Sequence, residues 1–276
     1  MVYRRRTNGF FKRRSLTSLL IIINVVAFFI FLLFLGIDSN LIDSVALNPE
    51  NVLNGKAVWT NFTSIFMHAG VFHLFVNMIS LFFLGSLVEK VVGRKRYLWF
   101  YLIAGIVGSL FFVIFAYLGQ FVYRGEFLFG GMGDYAVGAS GAIFGLLGLL
   151  AVLLPRKELY LIVGPLIVII LQFAIIPFVS EGISGTISLF STMLIFLMIF
   201  AIFSPNPNFR KIAMPLKLQF WLTPIVAIVP LVFIGFFVKL PIGNTAHLGG
   251  LVVGLIYGFY LRKKYSRKIK SLNRMF

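Results

Sequence analysis

Eight stretches of this chain, each about 16 to 22 residues long, consist almost entirely of apolar side chains. About twenty apolar residues in a helix cross the hydrocarbon core of a bilayer. Lipid offers backbone N–H and C=O groups no hydrogen-bond partner, so each stretch predicts a helix that bonds internally. The stretches lie at 16–36, 70–90, 98–119, 139–154, 158–179, 185–204, 219–238 and 242–261. The pattern predicts an all-α polytopic membrane protein with eight transmembrane helices.

Charged residues give the expected orientation of these helices. Lys and Arg cluster in short segments between or outside the apolar stretches, and positive charge placed in this way marks the cytoplasmic side. With the basic N-terminus inside, 22 of the 25 Lys and Arg lie inside. Six of the eight acidic residues then lie outside: Asp38, Asp43, Glu50, Glu126, Asp134 and Glu181. Eight or six crossings preserve this separation, whereas seven do not.

The chain is predicted to hold one transmembrane domain, 16–261, between basic cytoplasmic tails at 1–15 and 262–276. The first apolar stretch follows basic residues, as in a signal peptide. It is too long for the apolar part of such a signal, and no small-x-small cleavage motif follows it. We therefore expect it to be retained as the first transmembrane helix.

Composition narrows the possible functions. Charged residues make up 12% of the chain, whereas a soluble domain has about a quarter. The net charge of +17 lies at the membrane edges, where it meets anionic lipid head groups, so nucleic-acid binding is not expected. The chain has no cysteine and three histidines, which excludes disulfides and thiol catalysis and predicts no metal site and no cofactor.

Polar side chains inside the apolar stretches are candidate functional residues, because their burial in lipid is unfavourable. His73 and Asn77, four residues apart, share one face of the second helix. Ser140 opens the short fourth stretch, and His247 lies about one turn into the last. These three helices all run from outside to inside, so the residues are expected at similar depth near the outer face. The glycine-rich loop 124–138 predicts that Ser140 lies at the floor of a cavity that opens outward.

Glycines at i, i+4 spacing follow both Ser140 and His247. They are Gly141 and Gly145 in the fourth stretch and Gly250 and Gly254 in the eighth. Small residues at this spacing let two helices approach closely in lipid. If these two faces meet, the serine hydroxyl comes within hydrogen-bond reach of the imidazole, as nucleophilic catalysis requires.

Acyl transfer also needs hydrogen-bond donors for the developing oxyanion. His73, Asn77 and the backbone N–H of Ser140 are the candidates for this oxyanion hole. No acidic residue lies near enough in sequence to orient His247, so we expect a Ser–His dyad and not a triad. Phe144, four residues after Ser140, is expected to pack on the His247 ring.

Each of these residues also has a purely structural interpretation. A serine in a glycine-rich helix commonly packs or bonds to its own backbone, Asn77 could bond a neighbouring helix, and His68 is expected to cap or fix the loop before the second helix.

A transporter is a further alternative. It should carry ionisable groups at mid-membrane, but apart from Glu89 and Lys90 at an inner boundary the stretches hold none there.

The motifs resemble those of the rhomboid intramembrane serine proteases. The matching segments are HAGVFHLFVNM (68–78), GASG (138–141) and AHLGGLVVG (246–254). The resemblance implies Ser140 as nucleophile and His247 as general base, and it places the first loop partly in the outer leaflet. It also implies that the substrates are single-span membrane proteins, cleaved in or just above the outer leaflet. The expected location is a prokaryotic cytoplasmic membrane, and the alternative is a non-proteolytic relative that binds membrane clients.

Two features depart from the family pattern. Many members carry Trp-Arg in the first loop, but here Trp59 is followed by Thr60. Rhomboids usually have one helix between the serine and histidine helices, whereas three apolar stretches separate Ser140 from His247 here. We therefore expect a six-helix core with two extra helices, or a kinked or re-entrant segment at 158–204. Which helix gates the substrate stays open.

Overall fold

The computed structural model of the protein describes residues 15–237, 239 and 243–275. Within them, eight helices follow the order of the eight apolar stretches, and a ninth, basic helix follows the eighth. Their bounds are α1 Leu16–Ile37, α2 Val71–Val92, α3 Arg94–Gly119, α4 Ser140–Leu153, α5 Val163–Ile175, α6 Glu181–Ala201, α7 Thr223–Gly235, α8 Asn244–Lys264 and α9 Ser266–Met275. Apart from Ser15, the predicted N-terminal tail 1–15 lies outside the described residues, and the predicted C-terminal tail is largely α9.

The protein is a helical polytopic membrane protein. Four helices (α1, α2, α3 and α6) are each long and apolar enough to cross a bilayer. The apolar helices α4, α5 and α7 are shorter, with 14, 13 and 13 residues. The expectation that the fourth helix is short is confirmed, while the total of eight crossings stays a prediction.

Short helices fill the loops. They are Ser39–Leu41, Ile42–Val45, Pro49–Leu53, Thr60–Thr63, Ser64–Phe66, Gly125–Phe129, Ile176–Phe178, Pro207–Arg210 and Lys211–Ala213. The first loop is held without an arginine after Trp59, because the Trp59 indole N–H donates to the Ser44 carbonyl at 2.8 Å. Leu47 also exchanges two backbone hydrogen bonds with Ala136, which fastens the first loop to the loop before α4.

The predicted start of the fifth helix at residue 158 is wrong. Residues Glu158–Ile162 form a strand, β1, which pairs antiparallel with β2, Pro215–Gln219. A short apolar run does not by its periodicity distinguish a strand from a helix. The pairing satisfies backbone groups of both segments, and a salt bridge joins Glu158 to Lys217 across it.

The end of α6 lies against the start of α2. In the predicted threading α2 and α6 both begin at the outer face, so their first turns should be level. Instead Phe72, near the start of α2, contacts Phe196 near the end of α6. The strand β1 stands directly before α5, and its five extended residues rise about 16 Å.

The core of the bundle is α4, packed between α3 and α8. Every residue of α4 from Gly141 to Leu153 is buried except Phe144. The two glycine sets of α4 and α8 meet as expected, because a methyl group at Gly250 or Gly254 would overlap the carbonyl oxygen of Gly141 or Gly145. Only glycine allows this close approach of two backbones.

Glu89 near the end of α2 has a structural role. Its carboxylate oxygens accept hydrogen bonds from the backbone N–H groups of Leu16 and Thr17 at 2.8 and 2.9 Å. These groups lie in the first turn of α1, where N–H groups have no partner inside the helix. The contact caps α1 and fastens it to α2, so this acidic group is committed to helix packing.

Candidate active site

The structure brings Ser140 and His247 together, although 107 positions separate them in the chain. The serine is the first residue of α4 and the histidine lies in the first turn of α8. The contact of the glycine faces below them sets the helix separation. As a result, His247 Nε2 lies 2.8 Å from Ser140 Oγ, a hydrogen-bond distance.

Aromatic packing fixes the orientation of the His247 ring. The Phe144 ring, one turn after Ser140, stacks on it with a centroid distance of 4.2 Å and an interplanar angle of 8°. His247 is 8% exposed. Within the described part of the chain, His247 Nδ1 has no hydrogen-bond partner, so the geometry is that of a two-residue pair.

Asp134, the acidic residue nearest to Ser140 in the chain, is engaged elsewhere. It accepts from the Gly131 backbone N–H at 2.8 Å and pairs with Lys239 at 3.1 Å. Burial alone lowers the pKa of the Lys239 ammonium, but the hydrogen bond and charge of Asp134, together with Glu126, raise it overall. The ion pair ties the loop before α8 to the loop before α4.

Gly138 brings the loop before Ser140 (residues 130–139, here called the serine loop) into contact with His73. Its φ of +126° is a conformation that residues with a side chain rarely adopt. Its N–H donates to the Ser64 carbonyl at 2.9 Å. A methyl group at this position would lie 2.9 Å from His73 Cε1 and 3.7 Å from Ser140 Oγ, so His73 borders the serine.

Asn77 and His68 both contact His73. Asn77 is buried, and its Nδ2 donates to the His73 carbonyl one turn earlier at 2.9 Å. His68 does not cap α2, whose N-cap position is Gly70 and has no side-chain cap. The His68 ring instead packs edge-on against the His73 ring, with centroids 5.3 Å apart.

Two residues that help to shape the candidate site, Gly108 and Ser64, were not predicted from the sequence. Gly108 of α3 packs closely against both helices that carry the Ser–His pair. A methyl group at Gly108 would lie 2.8 Å from the Ala246 carbonyl of α8 and 3.5 Å from Gly141 Cα of α4. The small residues Ala104 and Gly108 have the i, i+4 spacing that could have indicated it. The Ser64 carbonyl acts through its backbone, so its residue type carried no signal.

The fold and site define a class of protein: a helical membrane protein in which glycine-packed helices hold a half-buried serine in contact with a buried histidine. The rhomboid domain, as a protein family, matches this chain over residues 55–193 and 171–264. The chain belongs to the rhomboid family.

Relatives come from a plant and a bacterium. RHOMBOID-like protein 1 of Arabidopsis thaliana is 40% identical over 42% of this chain and 26% of its own length. Rhomboid protease GluP of Bacillus subtilis is 35% identical over 57% of this chain and 28% of its own length. Inactive RHOMBOID-like protein 8 of Arabidopsis thaliana is 36% identical over 32% of this chain and 25% of its own length. The matches thus span about a quarter of each relative, and one relative is named inactive.

Proposed function

We propose that this protein is an intramembrane serine endopeptidase that uses Ser140 as nucleophile and His247 as general base. The observation that carries the proposal is the 2.8 Å contact between Ser140 Oγ and His247 Nε2 in a partly buried site. A serine hydroxyl is a weak nucleophile until a base takes its proton. A relative that only binds clients has no need for this contact.

The chemistry follows from the arrangement. Ser140 Oγ attacks the carbonyl carbon of the scissile peptide bond while His247 Nε2 takes the hydroxyl proton. The imidazolium then gives this proton to the leaving amine, and a water molecule, deprotonated by His247, hydrolyses the acyl-serine ester. The Ser140 N–H lies in the first turn of α4, so it has no carbonyl partner within the helix and is a donor for the oxyanion. His73 and Asn77 are the proposed further donors.

The proposed substrates are single-span membrane proteins cleaved near the outer leaflet. The relative GluP is named a rhomboid protease, and the first loop carries exposed apolar side chains such as Trp59 and Phe62, which suit an outer-leaflet position. The distribution of Lys and Arg supports cytoplasmic termini and a site that opens outward. A prokaryotic cytoplasmic membrane is the proposed location.

A fluorophosphonate probe tests the proposal directly. Ser140 Oγ would attack the phosphorus and displace fluoride, so membranes holding the wild-type protein should label, and those holding Ser140→Ala should not. Ser86→Ala, at a second serine within a helix, is the control and should label like the wild type. Absence of labelling in the wild type, or its persistence in Ser140→Ala, would contradict the proposed nucleophile.

The Asn77→Ala variant is expected to lower kcat for a membrane-spanning substrate by about 10²- to 10³-fold, the effect of removing one oxyanion donor. Asn24→Ala is a matched control, because Asn24 is buried in α1 and makes the same bond to a carbonyl one turn earlier, at 2.7 Å. The control should keep its kcat. Equal losses of kcat in the two variants would mean that Asn77 acts only in helix packing.

A further inference from the structure

We propose that the extra helices α5 and α6 hold the outer turn of α2 in place, with Phe196 and Phe200 as positioning residues for the oxyanion donors His73 and Asn77. The inference rests on the proposed function and extends it to a segment that rhomboids with one helix between the serine and histidine helices do not contain. It concerns a ring cluster made of Phe72 and Phe75 on α2 and Phe196 and Phe200 on α6.

The ring cluster joins α6 to α2 beside the candidate site. The Phe196 ring lies 5.3 Å from the Phe72 ring and 5.4 Å from the Phe75 ring, centroid to centroid. The Phe200 ring lies 5.7 Å from the Phe75 ring. These are favourable separations for aromatic pairs. Phe72 is the immediate neighbour of His73, so the contact acts on the turn that carries the first oxyanion donor.

The ring cluster and the donors occupy different faces of α2. At about 100° per residue, Phe72 and Phe75 lie about 60° apart around the helix, and His73 and Asn77 about 40° apart. The centres of the two faces are about 150° apart. The outer turn of α2 is therefore held between the serine loop on one side and α6 on the other.

Few side chains in the outer turn of α2 are buried. Its N-cap position, Gly70, supplies no side-chain cap. Val71 is 62% exposed and Val76 is 37% exposed, and Leu74 is the one fully buried side chain among residues 71–76. Further along α2, Met78, Leu81 and Val88 are buried in the core. Removal of the Phe196 and Phe200 rings would thus loosen the outer turn of α2, which carries His73, and leave the rest of α2 packed.

The α5–α6 pair is itself anchored at this level. A methyl group at Gly164, in the first turn of α5, would lie 3.0 Å from the Ala213 carbonyl and 3.0 Å from Met198 Sδ. Met198 lies between Phe196 and Phe200, and β1 and β2 tie the same region together. The Phe196 and Phe200 rings that contact α2 therefore lie on a part of α6 that is itself held by contacts with α5 and the strands.

A double-mutant cycle on the full-length protein tests the proposal. Phe196→Ala with Phe200→Ala should lower kcat for a membrane-spanning substrate about tenfold with KM unchanged, because misplaced catalytic groups reduce the rate and not substrate binding. In the Asn77→Ala/His73→Ala background the same two substitutions should change kcat less than about twofold, since they act through those donors. Phe190→Ala is the matched control, at an α6 phenylalanine that is 69% exposed, and should behave like the wild type.

Each other outcome has a definite meaning. Equal losses in both backgrounds, or a rise in kcat when the rings are removed, would overturn the positioning role. A wild-type protein that takes no fluorophosphonate label would refute the proposed function itself, which is a separate result.

Cross-linking gives a second test that does not depend on truncated side chains. The chain has no cysteine, so Phe75→Cys with Phe200→Cys can be joined by a reversible thiol cross-linker. The unlinked variant should be slow, cross-linking should restore most of the wild-type kcat, and reduction should remove it again. A cross-link that blocks cleavage would show instead that α6 has to leave α2, which overturns the proposal. Gln172→Cys with Ser188→Cys is the control, because it links α5 to α6 at side chains 3.3 Å apart without touching α2.

Discussion

The His247→Ala variant is expected to lose cleavage of a membrane-spanning substrate by about 10⁶-fold, to below detection, while its fold persists. His247 is the proposed base, and its Nε2 lies 2.8 Å from Ser140 Oγ. Without the imidazole, the hydroxyl proton has no acceptor among the described residues that contact Ser140, and none of them gives the leaving amine a proton. Fluorophosphonate labelling of Ser140 should vanish in the same variant.

Cleavage rates and thermal unfolding of the purified protein in lipid check this prediction together. Leu248→Ala is the control, because Leu248 follows His247 in α8 and is 37% exposed. It should retain the wild-type rate. If His247→Ala cleaved within tenfold of the wild type, the dyad would be wrong, even if Ser140 were still labelled.

The Gly250→Ala variant should lose activity about 100-fold or more, although it lies away from the reacting atoms. Its new methyl group would overlap the Gly141 carbonyl oxygen, which is backbone and cannot rotate away. Helices α4 and α8 would have to separate, and a shift of about 1 Å between serine and histidine is enough to cost this factor. Overpacking of this kind also destabilises a protein by about 1 to 3 kcal/mol.

Gly185→Ala is the matched control for this substitution. Gly185 lies inside α6, and a methyl group there would have no described atom outside its own helix within 4 Å. Alanine is the better helix former, so this variant should be at least as stable as the wild type. The two variants are compared by melting temperature and kcat. Equal behaviour would mean that α4 and α8 do not meet at the glycine faces.

Much of the fold could be predicted because its signals are local. Runs of apolar residues have to form helices in lipid, and all eight runs contain a helix. The start of the fifth helix was missed because ELYLI at 158–162 is as apolar as a helix, and its partner PLKLQ at 215–219 lies more than fifty residues away. Strand pairing depends on that distant partner, and no pattern within either segment contains it.

The candidate site was predictable in part for the same reason. The GASG and AHLGG motifs combine a reactive side chain with the glycines that permit close helix contact, so both requirements are readable in one short segment. The stacking of Phe144 on His247 followed from helical spacing. The hydrogen bond from Asn77 to the His73 carbonyl did not, because the sequence gives no direction for an amide.

The sequence by itself determined the helical membrane architecture, the pairing of two glycine faces and the candidate residues for catalysis, since hydropathy and residue size act locally. Only the tertiary structure decided where α5 and α6 lie. It brings Phe196 and Phe200 against Phe72 and Phe75 of the donor helix. The physical reason is that helix packing and the pairing of β1 with β2 join residues far apart in the chain. The position of a whole helix therefore leaves no trace in the pattern of apolar residues within it.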